Sequence, residues 1–521
     1  MKFVTVEQMR EIEVEADQSD LTYDLMMENA GRNLGEIVNR EYSSQRIGGV
    51  LGLVGSGNNG GDTLVALSCL LDHDWRATAY LVKERSNTDP LLERFIQKGG
   101  KVFTVQTDDD LLKLKILLHE NDVLLDGVLG TGFKLPLRED IAQILKTVKE
   151  TIENVFDPPF VVAVDCPSGI DCDTGEASEE VIPANLTVTM AAVKIGMLRL
   201  PAYTLCGRIE LATIGNLEQL ENWKKINHFI IDRRWASQKI PYRPEDSHKG
   251  TFGTAIIIAG SKNYTGAAYL AAKAAYLSGC GLVTIAAINA VHSALAGQLP
   301  EVTWISLPDE DGFISERSVQ IINDAIPKAN ALLLGPGFGL HSSTEKFLHT
   351  LVKEINQNLP PLVVDADGLK LLARLPGWPQ LLPSNTILTP HPGEMAILTQ
   401  MKTNEIQMQR VFNAEHYANL WNQIVILKGA FSLIAEPHGR TAMNPVASSA
   451  LAKAGTGDVL AGLITGLRAQ NVEAFEAATL GVWIHAQAGI LAAEQIGTTR
   501  SVLSSNVLQA IPEVFHDLEN V

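Results

Sequence analysis

Short apolar runs alternate with helix-like stretches along the whole of this 521-residue chain. Such runs, bounded by turn residues, are typical of strands in a parallel sheet that helices cover on both faces. The first half contains runs at 50–54, 77–82, 123–126 and 160–165. The second half contains runs at 255–259, 282–287, 331–334, 362–365 and 424–428. The pattern therefore predicts an α/β protein with two three-layer αβα domains.

A change in this pattern between residues 216 and 249 marks the predicted domain boundary. GRIELATIG, at 207–215, is predicted to be the last edge strand of the first domain. A polar stretch that includes PYRPEDSHKG follows, and TAIIIAG at 254–260 begins a new strand. We predict a first domain over residues 1–225 and a second over 226–521.

Composition and charge exclude several classes of protein. Hydrophobic residues make up 46% and charged residues 20%, which is typical of a folded globular chain. The net charge of −18 argues against broad binding to nucleic acid or to an anionic membrane. The five cysteines lack zinc-like CxxC spacing, and the acidic N-terminus does not resemble a secretory signal. We therefore expect a cytoplasmic protein with reduced thiols.

The clearest motif of the first half is GSGNNGGD at 55–62, which follows an apolar run and precedes a predicted helix. Its glycines let the backbone approach a ligand closely, and the helix start offers free N–H groups to a phosphate. The register matches neither the dinucleotide fingerprint GxGxxG nor a P-loop. A plain structural turn is the alternative, but the two Asn and the Asp favour a ligand site.

Acidic residues end two further apolar runs, where open α/β sheets bind their ligands. Asp126 lies in VLLDGVLGTGFKLP, and Asp165 lies in VVAVDCPSGID. Together with Asn59 and Ser168, Asp126 offers oxygen ligands to a hard monovalent cation. Asp165 or Lys194 could move a proton. The alternatives are that the acids cap helices and that Lys194 is a structural lysine that reaches the surface.

GSGNNGGD, DGVLGTG, AVDCPSGID and TVTMAAVKIG, in this order, resemble the YjeF N-terminal domain, the NAD(P)H-hydrate epimerase family, over residues 5–215. The resemblance implies a Rossmann-like domain that interconverts the R and S hydrates of NADH and NADPH. It implies catalysis by Asp165 and Lys194, and a potassium ion at Asn59, Asp126 and Ser168. The implied substrate contacts are Asn58, Asn59, Gly60, Gly61, Asp62, Gly130, Thr131, Gly132, Phe133, Lys134, Leu135, Pro136 and Asp165. Thr63 stands where the family usually has Gly, and we expect it to be tolerated in the first helical turn.

The strongest motif of the second half is AGTGDVLAGLITG at 454–466. The backbone N–H groups of 455–457 precede a helix and can form an anion hole for a phosphate in transfer. Asp458 could accept a proton from an attacking hydroxyl or help to hold Mg²⁺, although a plain capped helix is the alternative. Lys428 ends a strand of a predicted hairpin and could pair with phosphate, or it is an ordinary exposed turn lysine. Asp365 and Asp367 are candidates for a metal or water network.

The second half resembles the YjeF C-terminal domain, the ADP- or ATP-dependent NAD(P)H-hydrate dehydratases of the ribokinase-like superfamily, over residues 245–515. The matching motifs are KGTFG, AGSKNYTGAA, GPGFG, VVDADGL, LTPHPGE, KGAFSLIA and GTGDVLAG. The resemblance implies ADP as co-substrate, Mg²⁺, and Asp458 as a catalytic residue. The implied nucleotide contacts are Lys428, Gly429, Ala430, Phe431, Ser432 and Gly457. The implied contacts with the hydrated cofactor are Ala267, Gly337, Gly339, His391 and Asp458. Gly368, Lys453 and Ala454 depart from the family pattern.

The two resemblances together imply a homo-oligomeric metabolite-repair enzyme that acts on NADHX and NADPHX. It would epimerise both hydrates and dehydrate the S form while ADP becomes AMP and phosphate. One alternative is a ribokinase-like vitamin kinase fused to a non-catalytic cofactor-binding module. Another is a first half that only binds partners, as similar domains do in an mRNA-decapping scaffold and an apolipoprotein-binding protein.

Overall fold

The computed structural model describes residues 1–42, 48–86, 88–355 and 359–520. The chain divides into two compact units, unit 1 at Met1–Asn227 and unit 2 at His228–Val521. Each unit has its own parallel sheet with helices, so the predicted α/β architecture in each half is confirmed. No helix of the described residues is long and apolar enough to cross a membrane.

Unit 1 is built on a sheet with the strand order β4-β3-β2-β5-β6-β7-β9, in which every neighbouring pair is parallel. Its described strands are β1 (Phe3–Val4), β2 (Gly49–Val54), β3 (Arg76–Leu81), β4 (Lys101–Thr104), β5 (Val123–Gly127), β6 (Phe160–Val164), β7 (Leu186–Met190), β8 (Val193–Lys194) and β9 (Arg208–Ala212). Its described α-helices are α1 (Val6–Asp17), α2 (Tyr23–Tyr42), α3 (Asn58–Asp72), α4 (Pro90–Gln97), α5 (Leu112–Glu120), α6 (Glu139–Glu153), α7 (Tyr203–Cys206) and α8 (Glu221–Lys225). The strand β9 lies at one edge, as predicted.

The order of strands places a ligand cleft in unit 1. The strand β2 lies between β3 and β5 in the sheet. The chain passes from β2 to β3 on one side of β2, and it later forms β5 on the other side of β2. Such a switch point opens a crevice at the carboxyl ends of the strands. All residues of β2 and β5 are buried, because helices cover both faces of the sheet centre.

Unit 2 is built on a ten-stranded sheet with the order β10-β21-β20-β19-β18-β17-β16-β11-β12-β13. Its described strands are β10 (His228–Ile230), β11 (Thr254–Ile258), β12 (Leu282–Ile288), β13 (Thr303–Leu307), β14 (Asp309–Glu310), β15 (Phe313–Ile314), β16 (Ala331–Leu334), β17 (Leu362–Val364), β18 (Ile387–Leu388), β19 (Ile424–Leu427), β20 (Leu433–Ala435) and β21 (Thr441–Met443). Its described α-helices are α9 (Arg233–Ser237), α10 (Thr265–Leu277), α11 (Asn289–Leu295), α12 (Ser318–Ala325), α13 (Ser342–Ile355), α14 (Asp367–Leu372), α15 (Trp378–Leu381), α16 (Pro392–Thr399), α17 (Thr403–Met408), α18 (Arg410–Trp421), α19 (Thr456–Ala469), α20 (Ala474–Ile496) and α21 (Ser504–Glu519).

Within this sheet, β20 runs antiparallel to β19 and β21, which confirms the hairpin predicted after Lys428. The other neighbouring pairs are parallel. The stretch between residues 216 and 249 is not a plain polar linker, because it contains α8, β10 and α9. The strand β10 has only three residues, so its apolar run is too short to stand out from the surrounding polar sequence.

Candidate functional sites

The motif GSGNNGGD forms the start of α3 at the cleft of unit 1. Gly57 is the N-cap, so the two Asn and Asp62 lie inside the first turns of the helix. Thr63 is therefore in the second turn, and the prediction that it lies in the first turn is wrong. Its Oγ1 donates to the backbone oxygen of Asn59 at 2.7 Å and fills the space beside Gly127, whose added Cβ would lie 1.9 Å away.

Two glycines of this motif serve packing. A Cβ added to Gly60 would lie 2.0 Å from the oxygen of Gly55, and one added to Gly61 would lie 2.5 Å from Met27 Sδ. Neither glycine lines the cleft, and nor do Leu135 and Pro136. The other predicted substrate contacts of unit 1 do line it: Asn58, Asn59, Asp62, Gly130, Thr131, Gly132, Phe133, Lys134 and Asp165.

The cleft has a cationic half and an acidic half. Two cavities of about 630 Å³ and 460 Å³ share Glu13, Asn58, Asn59 and Thr131 and therefore form one cleft. The first half adds Arg10, Lys134 and Arg138 beside the glycine loop 130–132. The second half adds Asp24, Asp62 and Asp165. The helix α1, which carries Arg10 and Glu13, has no motif that sequence reasoning could have used.

A buried ion pair lies under the acidic half. Asp165 follows β6 with a left-handed φ of +65°, and its Oδ1 accepts hydrogen bonds from Lys194 Nζ, Thr189 Oγ1 (3.1 Å) and the N–H of Met190 (2.9 Å). Lys194 is 1% exposed, so the alternative of a lysine that reaches the surface is wrong. Burial alone would lower the pKa of Lys194, but the adjacent Asp165 raises it. Among the described residues, none donates to Asp165 Oδ2.

Two further carboxyl groups of this half have a raised pKa. Burial, reinforced by Asp165, raises the pKa of Asp62 well above its ordinary value. Burial also raises the pKa of the half-buried Glu13, although Lys194 partly opposes this. The acidic half therefore contains both carboxyl groups with a raised pKa and a carboxylate paired with a lysine. This is the arrangement that general acid–base chemistry uses.

Two of the predicted cation ligands, Asp126 and Ser168, are in contact, and the third, Asn59, lies beside the glycine loop. Asp126 is fully buried, and it accepts from Ser168 Oγ at 2.6 Å and from the N–H of Ser168 at 2.8 Å. A Cβ added to Gly130 would lie 2.2 Å from Asn59 Oδ1, so the loop passes close to that amide. Among the described residues, no cationic side chain pairs with Asp126, and burial raises its pKa. A buried carboxylate that lacks a counter-charge, with amide and hydroxyl oxygens nearby, fits a monovalent cation.

In unit 2, a cavity of about 640 Å³ opens beside the β19–β20 turn and the start of α19. The predicted residues that line it are Lys428, Gly429, Ala430, Ser432, His391 and Gly457. Phe431 is 6% exposed and lies under the turn, outside this lining. Lys453 lines the cavity, so this departure from the family pattern places a positive charge at its wall.

Lys428 takes part in an acidic network. Its Nζ lies 2.7 Å from Asp365 Oδ1 and 3.8 Å from Glu394 Oε2, and Thr389 Oγ1 donates to the same Asp365 oxygen at 2.6 Å. Its side chain is 17% exposed, so it is not an ordinary exposed turn lysine. Burial alone would lower the pKa of Lys428, but the two carboxylates raise it. A Cβ added to Gly457 would lie 3.5 Å from Nζ, so the ammonium group faces the predicted anion hole.

Asp458 lies in the first turn of α19 beside this network. Burial and the negative charge of Asp365 raise its pKa to about 7, while Lys428 acts in the opposite direction. A carboxyl group with this pKa is suited to accept a proton near neutral pH. Asp458 therefore lies next to the N–H groups of the helix start, where the sequence predicts a base beside an anion hole.

Among the predicted contacts with the hydrated cofactor, Gly337 packs against Ala267, whereas Gly339 and His391 form hydrogen bonds with acidic residues. A Cβ added to Gly337 would lie 2.9 Å from Ala267 Cβ, and the N–H of Gly339 donates to Asp367 Oδ2 at 2.9 Å. Asp367 is one of the charges that raise the pKa of Asp458. His391 is the N-cap of α16 and accepts from the N–H of Glu394 at 3.2 Å through Nδ1.

Packing explains one of the departures from the family pattern in unit 2. A Cβ on Gly368 would lie 2.9 Å from the Cα of Gly335, so glycine suits the position where the family often has Ala. Ala454 is exposed.

Sequence reasoning missed Asn444 and His485, since His485 lies within the apolar helix α20 and Asn444 follows a short strand. Both line the cavity, and Asn444 Oδ1 and His485 Nε2 are buried without a hydrogen-bond partner among the described residues.

Comparisons with known proteins agree with this division. A family model described as NAD(P)H-hydrate dehydratase matches residues 255–513, and one described as YjeF-related protein N-terminus matches residues 24–196. The bifunctional NAD(P)H-hydrate repair enzyme Nnr of Moorella thermoacetica is 34% identical over 505 residues, which cover 95% of this chain and 93% of that protein. The protein of the same name from Salinibacter ruber is 33% identical, with coverage of 94% and 91%. A solved ADP/ATP-dependent NAD(P)H-hydrate dehydratase from Bacillus subtilis, co-crystallized with ATP/Mg²⁺, covers 56% of this chain and 98% of its own at 30% identity, with a TM-score of 0.49.

Proposed function

Because the chain belongs to the bifunctional NAD(P)H-hydrate repair enzyme family, we propose that it repairs hydrated NADH and NADPH at two separate sites. The site in unit 1 interconverts the R and S hydrates, and the site in unit 2 dehydrates the S hydrate. The observation that carries this proposal is Asp458. It is a carboxyl group with a pKa of about 7 at a helix start, beside the Lys428–Asp365 ion pair.

The two halves of the unit 1 cleft orient the substrate. The cationic half with Lys134 and the glycine loop binds the phosphates, which leaves the hydrated nicotinamide ring in the acidic half. There, Asp62 donates a proton to the C6 hydroxyl group and the ring nitrogen expels water. Water then adds to the opposite face of C6 and gives up a proton to Asp165. Lys194 holds Asp165 in place for this step.

Potassium would be held by Asn59, Asp126 and Ser168 in unit 1, because the buried Asp126 has no cationic partner among the described residues and a monovalent cation would supply that charge. When bound, the ion would supply positive charge beneath the phosphate-binding loop. Asn59 also donates through Nδ2 to the backbone oxygen of Val164 at 2.6 Å, which ties the loop after β6 to the start of α3. The side chains of this region therefore hold the loop and helix that bind the substrate.

In unit 2, Asp458 accepts the proton of the C6 hydroxyl group while that oxygen attacks the terminal phosphorus of ADP. The N–H groups at the start of α19 and Lys428 offset the charge on the transferring phosphoryl group. The ring nitrogen then expels phosphate from C6, and the departing phosphate takes a proton from C5, which leaves NAD(P)H, AMP and phosphate. Mg²⁺ would be held by Asp367 and Glu394, two acids whose charges act on Asp458, and it would neutralise phosphate charge when bound.

ADP is the proposed phosphoryl donor. The cavity beside Lys428 has a volume of about 640 Å³, which suits a nucleotide. Asn444 and His485 line it, and Asn444 Oδ1 and His485 Nε2 have no hydrogen-bond partner among the described residues, so we propose that the bound nucleotide provides one. Two polar atoms that need hydrogen-bond partners favour a nucleotide over an apolar ligand in this cavity.

A product assay tests the proposal on the full chain. The enzyme is given an R and S NADHX mixture with ADP or with ATP, and NADH, AMP and free phosphate are measured. We expect complete conversion of both epimers, with ADP preferred, and equal amounts of the three products. A stable phosphorylated product without NADH would instead favour the vitamin-kinase alternative. Asp458→Asn should stop nucleotide consumption, whereas the exposed Asp309→Asn serves as the matched control.

A further inference from the structure

Three side chains of metal-ligating type that the proposed function does not use lie together at the end of α3 opposite the cleft. Cys69 and His73 are four residues apart, so they lie on one face at the helix end, and Glu36 faces them from α2. One donor atom of each lies within 4.8 Å of the other two. Glu36 Oε1 is 3.0 Å from His73 Nε2 and 3.8 Å from Cys69 Sγ. We propose that Glu36, Cys69 and His73 form a binding site for Zn²⁺.

The packing of the two helices brings the three side chains together. A Cβ added to Gly35 would lie only 2.9 Å from Cys69 Cβ, so glycine lets α2 approach α3 at this level. Cys69 is buried, while Glu36 and His73 are exposed, which gives a metal ion a path from solvent. The carbonyl groups at the C-terminal end of α3 also favour a cation there.

The donor set matches zinc. Thiolate, imidazole and carboxylate are the three ligand types that Zn²⁺ takes in proteins, and three of them leave one position for water. When zinc binds, a bond to Sγ forms as the thiol proton passes to solvent. Burial and Glu36 raise the pKa of Cys69 to about 11, so the sulfur is a thiol when no metal is present. The metal would replace the Glu36–His73 hydrogen bond with bonds of about 2.0–2.3 Å.

The proposed site is separate from the substrate cleft. Cys69 lies 11 residues after Asn58 along α3, which corresponds to about 16 Å of helix. A zinc ion there would join α2 to α3 and stabilise unit 1 without contacting the substrate. Zinc binding is thus independent of the proposed function, because neither activity needs the cluster.

The test measures metal binding by the full chain with Co²⁺ and Zn²⁺ alone. We expect one Co²⁺ per chain with a thiolate-to-cobalt charge-transfer band, which Zn²⁺ abolishes, and a higher Tm when Zn²⁺ is added. His73→Gln changes an exposed side chain and should weaken binding by about tenfold or more. Cys69→Ala should remove the thiolate band.

Matched controls are Cys280→Ala, a buried cysteine of unit 2, and His516→Gln, an exposed histidine, and both should bind metal like the unchanged chain. The proposal is overturned if the unchanged chain gives no charge-transfer band, or if the band persists in Cys69→Ala. It is also overturned if His73→Gln binds Co²⁺ with unchanged affinity. His73→Gln decides the question if Cys69→Ala fails to fold.

Discussion

The same ion pair occurs in both units, but the two units present opposite ends of it. In unit 1, Lys194 and Thr189 hold Asp165, and in unit 2, Lys428 and Thr389 hold Asp365, which follows β17. Lys194 is 1% exposed and Asp165 lines the cleft, so unit 1 offers a carboxylate. Asp365 is 1% exposed and Lys428 lines the cavity, so unit 2 offers an ammonium group.

The difference explains how one type of cluster can serve two chemistries. A carboxylate that faces the ligand suits proton movement, whereas an ammonium group suits a phosphate. In the proposed mechanism unit 2 then needs another base, and we propose Asp458 at the start of α19, whose pKa is raised to about 7. The comparison indicates that the chemistry of each site depends on which member of the ion pair lines the cavity: Asp165 in unit 1 and Lys428 in unit 2.

The largest effect should follow from removing the base of unit 2. Asp458→Asn should lower dehydration of the S hydrate by about 10³-fold, because the C6 hydroxyl group loses its proton acceptor. Epimerisation should stay unchanged, since the unit 1 site is untouched. Both rates are measured by chromatography of the two hydrates. Normal NADH formation by Asp458→Asn would contradict the role of this residue.

The two lysines should differ in their effect on nucleotide binding. Lys194→Met leaves Asp165 buried without its partner and should lower the free energy of unfolding of unit 1 by about 3 kcal/mol, with the nucleotide affinity unchanged. Lys428→Met also leaves a buried acid, Asp365, without its partner, and because Lys428 lines the cavity it should lower both the free energy of unfolding and the nucleotide affinity. Denaturant unfolding and nucleotide titration measure the two effects. Unchanged nucleotide affinity in Lys428→Met would remove the proposed contrast.

The glycine loop of unit 1 allows a matched pair of variants. Gly130→Ala brings a Cβ to 2.2 Å from Asn59 Oδ1 and should lower epimerisation by about 10²-fold, because it displaces the loop and the predicted cation ligand. Gly132→Ala meets nothing within 4 Å and should change little. Epimerisation is measured with K⁺ at increasing concentrations. A similar loss in both variants would indicate a general effect of loop stiffness.

The pH dependence should show the smallest effect. Asp458 works as a base only when ionised, and its pKa is raised to about 7. Dehydratase kcat/KM should therefore fall about tenfold per unit as the pH drops below 7 and level off above it. The profile is measured with the S hydrate. A dehydratase profile that stays flat between pH 5 and 8 would argue against Asp458 as the base.

Much of the fold could be predicted from the sequence, but side-chain packing could not. Apolar runs such as 331–334 are local signals, so each became a strand. The burial of Lys194 could not be predicted, because its partner Asp165 lies 29 residues away, directly after another strand. Glu13 lines the cleft, but its helix contains no recognisable motif. The need for glycine at position 60 comes from the backbone of Gly55, which packs against it only in the folded chain.

A complementation assay tests the central claim of two independent sites most directly. Asp165→Asn alone should convert only the S hydrate of an R and S mixture, and Asp458→Asn alone should form no NADH. An equimolar mixture of the two variants should convert both hydrates completely, because each supplies the site that the other lacks. Failure of the mixture to convert the R hydrate, or conversion of both hydrates by Asp165→Asn at the unchanged rate, would contradict the account.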